Sequence, residues 1–96
     1  MRDAAVTNHL YRIAQEAVHN AVRHGRASTI RVCLGGRNGT GILCIHDDGC
    51  GISDRDASHS GMGLNIMRYR AGMIGGALEI VPGPERGTAV ICRFPN

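Results

Sequence analysis

Apolar residues recur along this chain with two spacings, one typical of helices and one typical of strands. Between residues 3 and 24 they share one broad face when ~100° is allowed per residue, which predicts an amphipathic helix. Its apolar positions are Val6, Leu10, Ile13, Ala14, Ala17 and Ala21, extended by Val18 and Val22. Gly25 follows as the expected helix stop.

Four later segments have the length and composition of β-strands. They are residues 28–35, 40–46, 77–82 and 88–94. In the first of them, Ile30, Val32 and Leu34 are expected on one face. The glycine-rich residues 35–39 predict a hairpin between the first two strands, and residues 82–87 predict a turn between the last two.

A second helix is expected to begin at Gly61 and to end at Gly75 and Gly76. Its apolar positions at helical spacing are Leu64, Met67, Ala71 and Ile74. Residues 53–60 are polar and predict a mobile loop before it. The order of elements predicts an α+β fold, a two-layer α/β sandwich with helices packed on one face of a mixed, mainly antiparallel sheet.

Composition limits the possible classes of protein. The 96 residues suit one domain, and 43% of them are hydrophobic but only 3% aromatic, so the core must be built from aliphatic side chains. No stretch approaches the roughly 18 apolar residues of a membrane span, and no signal peptide is expected.

All eleven basic residues are arginines, and the formal net charge is +3. Without lysine there can be no Walker A loop, which requires a Gly-Lys pair. The positive charge is modest and scattered, and no aromatic residues accompany it, so nucleic-acid binding is not expected.

The four cysteines form no C-x-x-C pair, which argues against a zinc ribbon or a redox motif. They are Cys33, Cys44, Cys50 and Cys92. Those in strands are expected to be buried, reduced thiols. A metal site combining cysteines with histidines has no motif behind it, its candidates being Cys44, Cys50, His46 and His59.

Candidate chemistry begins where the second strand ends, at Asp47. The apolar run of the strand ends at this acid. Gly49 and Gly51 follow, where the chain can turn and another molecule can approach closely. A carboxylate in that setting suits a flat ligand with N–H groups, such as a purine base. The alternative is a simple turn, because Asp-Gly sequences often only join strands.

The first helix carries a second candidate pair on its polar face. Glu16 and Asn20, one turn apart, offer a carboxylate and an amide oxygen, a pair that suits Mg²⁺ and the phosphates it carries. The alternative is a solvated face with an Arg12–Glu16 ion pair. The Gly61-Met62-Gly63 start of the second helix offers free N–H groups for phosphate.

Taken in order, these stretches resemble the N box, G1 box, G2 box and closing Gly-Thr of the GHKL (Bergerat) ATP-binding fold. They are residues 15–24, residues 47–52, residues 61–64 and Gly87-Thr88. Residues 10–17 and 63–71 are most similar to sensor histidine kinases of the nitrate-sensor and desaturase-thermosensor type. The resemblance implies a single ATP-binding catalytic domain over residues 1–96, excised from a longer kinase, with ATP and Mg²⁺ as cofactors.

The same resemblance implies a role for each matching residue. Asn20 would coordinate Mg²⁺, Glu16 would act as the catalytic base or positioning group, and Asp47 would accept the adenine amino group. The remaining ATP-binding positions implied are Arg23, Gly49, Gly51, Gly61, Gly63, Leu64 and Thr88.

The implied activity is transfer of the γ-phosphoryl group of ATP to a histidine on a separate dimerisation and phosphoacceptor domain, with a response regulator as an indirect partner. The strand that usually precedes the first helix of this fold, and the phosphoacceptor helices, are missing or lie outside the chain. His46-Asp47 looks like a phosphoacceptor pair but lies inside the nucleotide motif. The implied location is cytoplasmic, with a parent kinase that can be membrane-anchored.

Two alternatives on the same fold remain. One is a serine/threonine kinase of the anti-sigma-factor type, which usually lacks the continuation seen after Leu64. The other is a non-catalytic nucleotide sensor, against which the intact Glu16, Asn20 and Asp47 argue.

Overall fold

The computed structural model describes residues 4–23, 26–49, 61–83 and 87–96. In these residues the elements follow the predicted order, in which each of two helices is followed by two strands. They are α1 (Ala4–Arg23), β1 (Ile30–Arg37), β2 (Thr40–Asp47), α2 (Gly61–Met73), β3 (Ala77–Pro82) and β4 (Thr88–Pro95). The predicted loop at 53–60, together with Gly25, Cys50 and Gly51, lies outside the described residues.

The strands form one sheet in the order β1-β2-β4-β3. All three pairings within the described strands are antiparallel, so the parallel component of the predicted mixed sheet is not found there. The reason is the strand order. β2 and β3 run in the same direction, but β4 lies between them, and every neighbouring pair is therefore antiparallel.

The β1–β2 hairpin fixes the register that brings Asp47 to the end of the sheet. Asn38 and Gly39 at its tip have φ angles of 55° and 80°, which suits the two-residue turns that match strand twist. Arg37 pairs with Thr40, and the pairing continues to the last pair, Ile30 with Asp47.

The core lies between the two helices and the central strands β2 and β4. Its buried members come from all four of these elements: Leu10, Ile13, Ala17, Leu43, Ile45, Leu64, Met67, Ala71, Val90, Cys92 and Phe94. The predicted apolar face of α1 is confirmed except at Val22, which is 58% exposed. At 100° per residue, Val22 lies about 180° from Ile13 around the helix, away from the sheet.

The first strand is less buried than its pattern suggests. Val32 and Leu34 pair with the buried Ile45 and Leu43, yet they are 52% and 50% exposed. β1 is an edge strand, and the strand residues of the buried core come from β2 and β4. The Val32 and Leu34 side chains therefore lie on the apolar face of the sheet but are not covered by the core.

The end of α2 is confirmed at the predicted glycines. The amide of Gly76 donates to the carbonyl of Ala71 at 2.8 Å, and that of Gly75 donates to Gly72 at 3.1 Å. Gly75 has a φ of 73°, so this end is a Schellman motif.

The cysteines differ from the prediction at one position. Cys92 is buried and Cys44 is partly buried, but Cys33 is exposed. Cys33 pairs with Cys44 on the sheet face opposite the core, and its strand lies at the edge of the sheet. Burial raises the pKa of the Cys92 thiol, and burial together with the neighbouring Cys33 raises the pKa of Cys44. None of the helices described is long and apolar enough to cross a membrane.

Candidate functional site

Asp47 occupies the end of β2, where the hydrophobic alternation of the strand brings a carboxylate to the core face. It is only 7% exposed. Its Oδ1 accepts a 2.8 Å hydrogen bond from the amide of Gly49, two residues further along the chain. The other oxygen, Oδ2, takes no part in that bond.

The start of β4 lies against this strand end. Gly87 has a φ of 85°, and a Cβ at that position would overlap the carbonyl oxygen of Asp47. Thr88 is 5% exposed and precedes Ala89, the partner of His46, so its side chain lies beside Asp47. The predicted Gly-Thr pair therefore meets the predicted adenine acid.

The start of α2 faces the polar side of α1. A Cβ built on Gly63 would lie 3.4 Å from Glu16 Oε2 and 3.4 Å from Asn20 Nδ2. The glycine thus leaves room beside both side chains, and Glu16 keeps 25% of its side chain exposed. Three predicted site residues from two elements meet here.

Glu16 also borders a groove of about 360 Å³ between α1 and α2. The groove is lined by Arg12, Gln15, Glu16, His19, Ile66 and Arg70. Arg70 contacts Nδ1 of His9 at 3.2 Å and so links the two helices. None of the residues around Asp47 lines this groove, which opens instead on the Glu16 side of the candidate site.

The structure adds one residue that the sequence reasoning did not single out, Asp48. Its Oδ1 accepts the amides of Ser28 and Thr29, both at 2.9 Å, and its Oδ2 accepts the Ser28 hydroxyl at 2.8 Å. These donors, first of all the Thr29 amide, lower the pKa of Asp48 to about 2. Since Ser28 and Thr29 lie about twenty residues away in sequence, no local pattern could have identified the contact.

The other predicted positions are less closely grouped. Arg23 is exposed in the last turn of α1, and Leu64 is 5% exposed in the core, where it packs rather than faces the opening. Gly61 begins α2, whereas Gly51 lies outside the described residues.

His46 lies on the sheet face opposite Asp47, because side chains alternate along a strand. Its Nε2 is buried without a hydrogen-bond partner in the part of the chain that the structure describes. The two side chains therefore cannot act together as a phosphoacceptor pair, in agreement with the sequence interpretation.

The donors present decide what kind of metal the site could hold. Among residues 4–23, 26–49, 61–83 and 87–96, no group of three or more His, Cys, Asp or Glu side chains could hold a metal ion. Glu16 and Asn20 supply one carboxylate and one amide. That set fits Mg²⁺ carried mainly by phosphate oxygens and water, and it does not fit an ion held by the protein alone.

The chain matches known proteins over most of its length. A family model described as histidine kinase-, DNA gyrase B- and HSP90-like ATPase matches residues 5–96. The chain is 39% identical over 90 residues to the sensor histidine kinase LiaS of Bacillus subtilis, covering 94% of the chain and 25% of the relative. It is 40% identical over 93 residues to the nitrate/nitrite sensor protein NarQ of Escherichia coli, covering 96% of the chain and 16% of the relative.

Solved structures show the same fold at lower identity. The ATP-binding domain of PrrB from Mycobacterium tuberculosis matches with a TM-score of 0.80 and 23% identity, over 93% of this chain and 68% of that one. The histidine kinase domain of a blue-light activated kinase from Erythrobacter litoralis also gives 0.80, with 22% identity over 95% of this chain and 45% of that one. The predicted two-layer α+β architecture is confirmed.

Proposed function

Because this chain belongs to the family of histidine kinase-, DNA gyrase B- and HSP90-like ATPases, we propose that it is the catalytic ATP-binding domain of a two-component sensor histidine kinase. It binds Mg-ATP and donates the γ-phosphoryl group to a histidine on a separate dimerisation and phosphoacceptor domain. The observation that carries the proposal is the meeting of Glu16 and Asn20 with Gly63, since it joins metal and phosphate chemistry at one helix start.

Adenine would bind at Asp47. The buried carboxylate can accept the exocyclic N–H of adenine, whereas guanine presents a carbonyl oxygen at the equivalent position and would be repelled. Gly49 turns the chain beside the base, and Thr88 adds a hydroxyl at the same end. Gly51 is proposed as a further position of close approach to the nucleotide.

The phosphates would lie at the other end of the site, near Gly61 and Gly63. A helix start offers free N–H groups and a favourable dipole for negative charge. Leu64 packs beneath this start, and Arg23 supplies positive charge at the end of α1.

Asn20 would hold Mg²⁺, which supplies charge neutralisation to the phosphates when bound. The amide oxygen would give one protein ligand, and phosphate oxygens and water would supply the others. Glu16, next to Asn20 on the same face, would orient or deprotonate the attacking nucleophile.

The acceptor histidine would come from another domain. Phosphoryl transfer depends mainly on positioning, so it requires an acceptor nitrogen held in line with the γ-phosphate. Since the chain spans 25% and 16% of the two relatives above, most of each relative lies beyond the matched part. We propose that residues 1–96 are one domain of a longer kinase, located in the cytoplasm, whose parent can be membrane-anchored and signals to a response regulator.

The test is transfer from γ-labelled ATP in the presence of Mg²⁺, with a phosphoacceptor domain supplied in trans. Acid-labile, base-stable label should form on that domain and not on the chain alone. Glu16→Gln should abolish transfer while ATP binding persists. Glu79→Gln is the matched control, because Glu79 is an exposed carboxylate on β3 that pairs with Arg93 at 2.9 Å.

Other outcomes would contradict the proposal. Label on the chain alone that disappears in His59→Ala would overturn the separate acceptor. Acid-stable label would favour the serine/threonine kinase, and ATP binding without any transfer in trans would favour the nucleotide sensor.

A further inference from the structure

We infer that Asp48 is a positioning residue that fixes Asp47 relative to the helix carrying Glu16 and Asn20, a role that rests on the proposed nucleotide site. Asp48 is not among the residues proposed to contact ATP. Its part would be to join the α1–β1 connection to the end of β2.

The joint consists of four hydrogen bonds between Asp48 and two consecutive residues. The carboxylate accepts both backbone amides and the Ser28 hydroxyl, and the Asp48 amide donates to the Thr29 carbonyl at 3.2 Å. The depressed pKa of this carboxyl, about 2, keeps it ionised throughout the working range of pH. The joint is therefore charge-assisted at neutral pH.

The other end of the connection is fastened to α1. The amide of Ala27 donates to the carbonyl of Ala21 at 3.0 Å, and Ala21 directly follows Asn20. Arg26, between these anchors and α1, takes a φ of 52°. Hydrogen bonds together with the peptide links Asn20–Ala21 and Ala27–Ser28 thus connect the proposed metal ligand to the strand end that holds the proposed adenine acid.

Asp47 needs such support because the sheet ends beside it. Ile30 with Asp47 is the last pair of the β1–β2 ladder, and the chain then turns through the Asp47–Gly49 hydrogen bond. Asp48 is partly exposed and belongs to none of the core contacts, so its removal leaves the hydrophobic core unchanged. Loss of the joint would free the last pair of the ladder, and with it the Asp47 carboxylate.

The experiment compares Asp48→Ala with Asp48→Asn and Ser28→Ala. Asparagine keeps an oxygen that can accept both amides, and Ser28→Ala removes only the hydroxyl bond. The measurement is the affinity for ATP and for GTP, determined by calorimetry. The ATP-over-GTP preference should fall by about tenfold in Asp48→Ala. It should stay within about threefold of wild type in Asp48→Asn and Ser28→Ala.

The ATP-over-GTP preference distinguishes a loss of Asp47 positioning from a general loss of stability. A variant that is partly unfolded binds fewer equivalents of both nucleotides, but the folded fraction keeps the wild-type preference. A second readout needs no nucleotide: the Gly49 amide, bonded to Asp47, should exchange faster in Asp48→Ala and at the wild-type rate in Asp48→Asn.

Three results would overturn the inference. The first is folded Asp48→Ala that keeps both the wild-type ATP-over-GTP preference and the wild-type exchange rate of the Gly49 amide. The second is an equal loss of this preference in Asp48→Ala and Asp48→Asn. The third is a wild-type ATP-over-GTP preference in Asp48→Ser. The last variant serves if Asp48→Ala does not fold, because its short hydroxyl cannot reach all three donors. Failure of the nucleotide site itself would show differently, as wild-type protein that binds no ATP.

Discussion

The main chain of Gly87 lies against the carbonyl oxygen of Asp47, so closely that a Cβ at residue 87 would overlap that oxygen. Gly87 also has a φ of 85°, a conformation that residues with a Cβ adopt at a cost. The glycine therefore allows β4 to begin directly beside the strand end that carries the proposed adenine acid, and it brings the buried Thr88 to the same place.

Gly87→Ala should destabilise the chain and weaken ATP binding, because both the clash and the left-handed φ act at the site. We expect a loss of about 1–3 kcal/mol in urea unfolding. Gly72→Ala is the matched control. Gly72 lies in α2 with no atom near its would-be Cβ, so alanine there should raise stability by about 0.5–1 kcal/mol. Wild-type stability in Gly87→Ala would show that the close approach is not needed.

Asn20 should act through the metal. Asn20→Ala should remove most of the Mg²⁺-dependent increment in ATP affinity, about tenfold or more, while metal-free adenosine binding stays nearly intact. The control is Asn8→Ala, at an exposed position of the same helix, which should change neither the Mg²⁺-dependent increment nor adenosine binding. The measurement is calorimetry with Mg²⁺ and with chelator. Equal losses under both conditions would point to a folding defect or a contact with the base.

Local patterns were sufficient for the elements of this fold. Helical spacing identified the buried face around Ile13, and the glycine pair after α2 formed the expected Schellman motif. The ordered motifs predict Asp47 and Glu16 as site residues, and their roles stay predictions.

What the sequence could not supply was the arrangement of elements relative to one another. Val32 and Leu34 lie on the strand face that their spacing predicts, but nothing local shows that their strand is at the edge of the sheet and leaves them exposed. Cys33 lies on the other face of this strand, away from the core, and is also exposed. Asp48 has its partners about twenty residues away, so only the folded chain shows that it joins two elements.

The Asp48 joint predicts an acid-dependent loss of stability. Its folded pKa, about 2, lies below the ordinary value of 3.8, so the folded state binds fewer protons. The contribution of the Asp48 carboxylate to the free energy of unfolding is fully present above about pH 4 and is lost as pH falls through about 2. The stability difference between wild type and Asp48→Asn, measured by urea unfolding, should be constant from pH 7 to pH 5 and should shrink below pH 4. A difference that does not change down to pH 2 would contradict the assigned hydrogen bonds.

Gly41 should be required for the packing of the core. A Cβ there would overlap the ring of Phe94, which is only 3% exposed, whereas a Cβ on Gly35 of the neighbouring strand would meet nothing within 4 Å. Gly41→Ala should therefore cost about 1–3 kcal/mol in chemical unfolding, and Gly35→Ala should cost little. Similar stabilities for the two variants would mean that the Phe94 ring can move aside.

The most direct measurement for the proposed site is calorimetric titration of ATP into wild-type chain and Asp47→Ala, with Asp48→Asn as the neighbouring control. Loss of the buried carboxylate should weaken ATP by about 1.5–3 kcal/mol, roughly 10- to 100-fold, and should reduce the preference for ATP over GTP. Asp48→Asn should stay close to wild type. Unchanged ATP affinity in folded Asp47→Ala would contradict the assignment of adenine to Asp47.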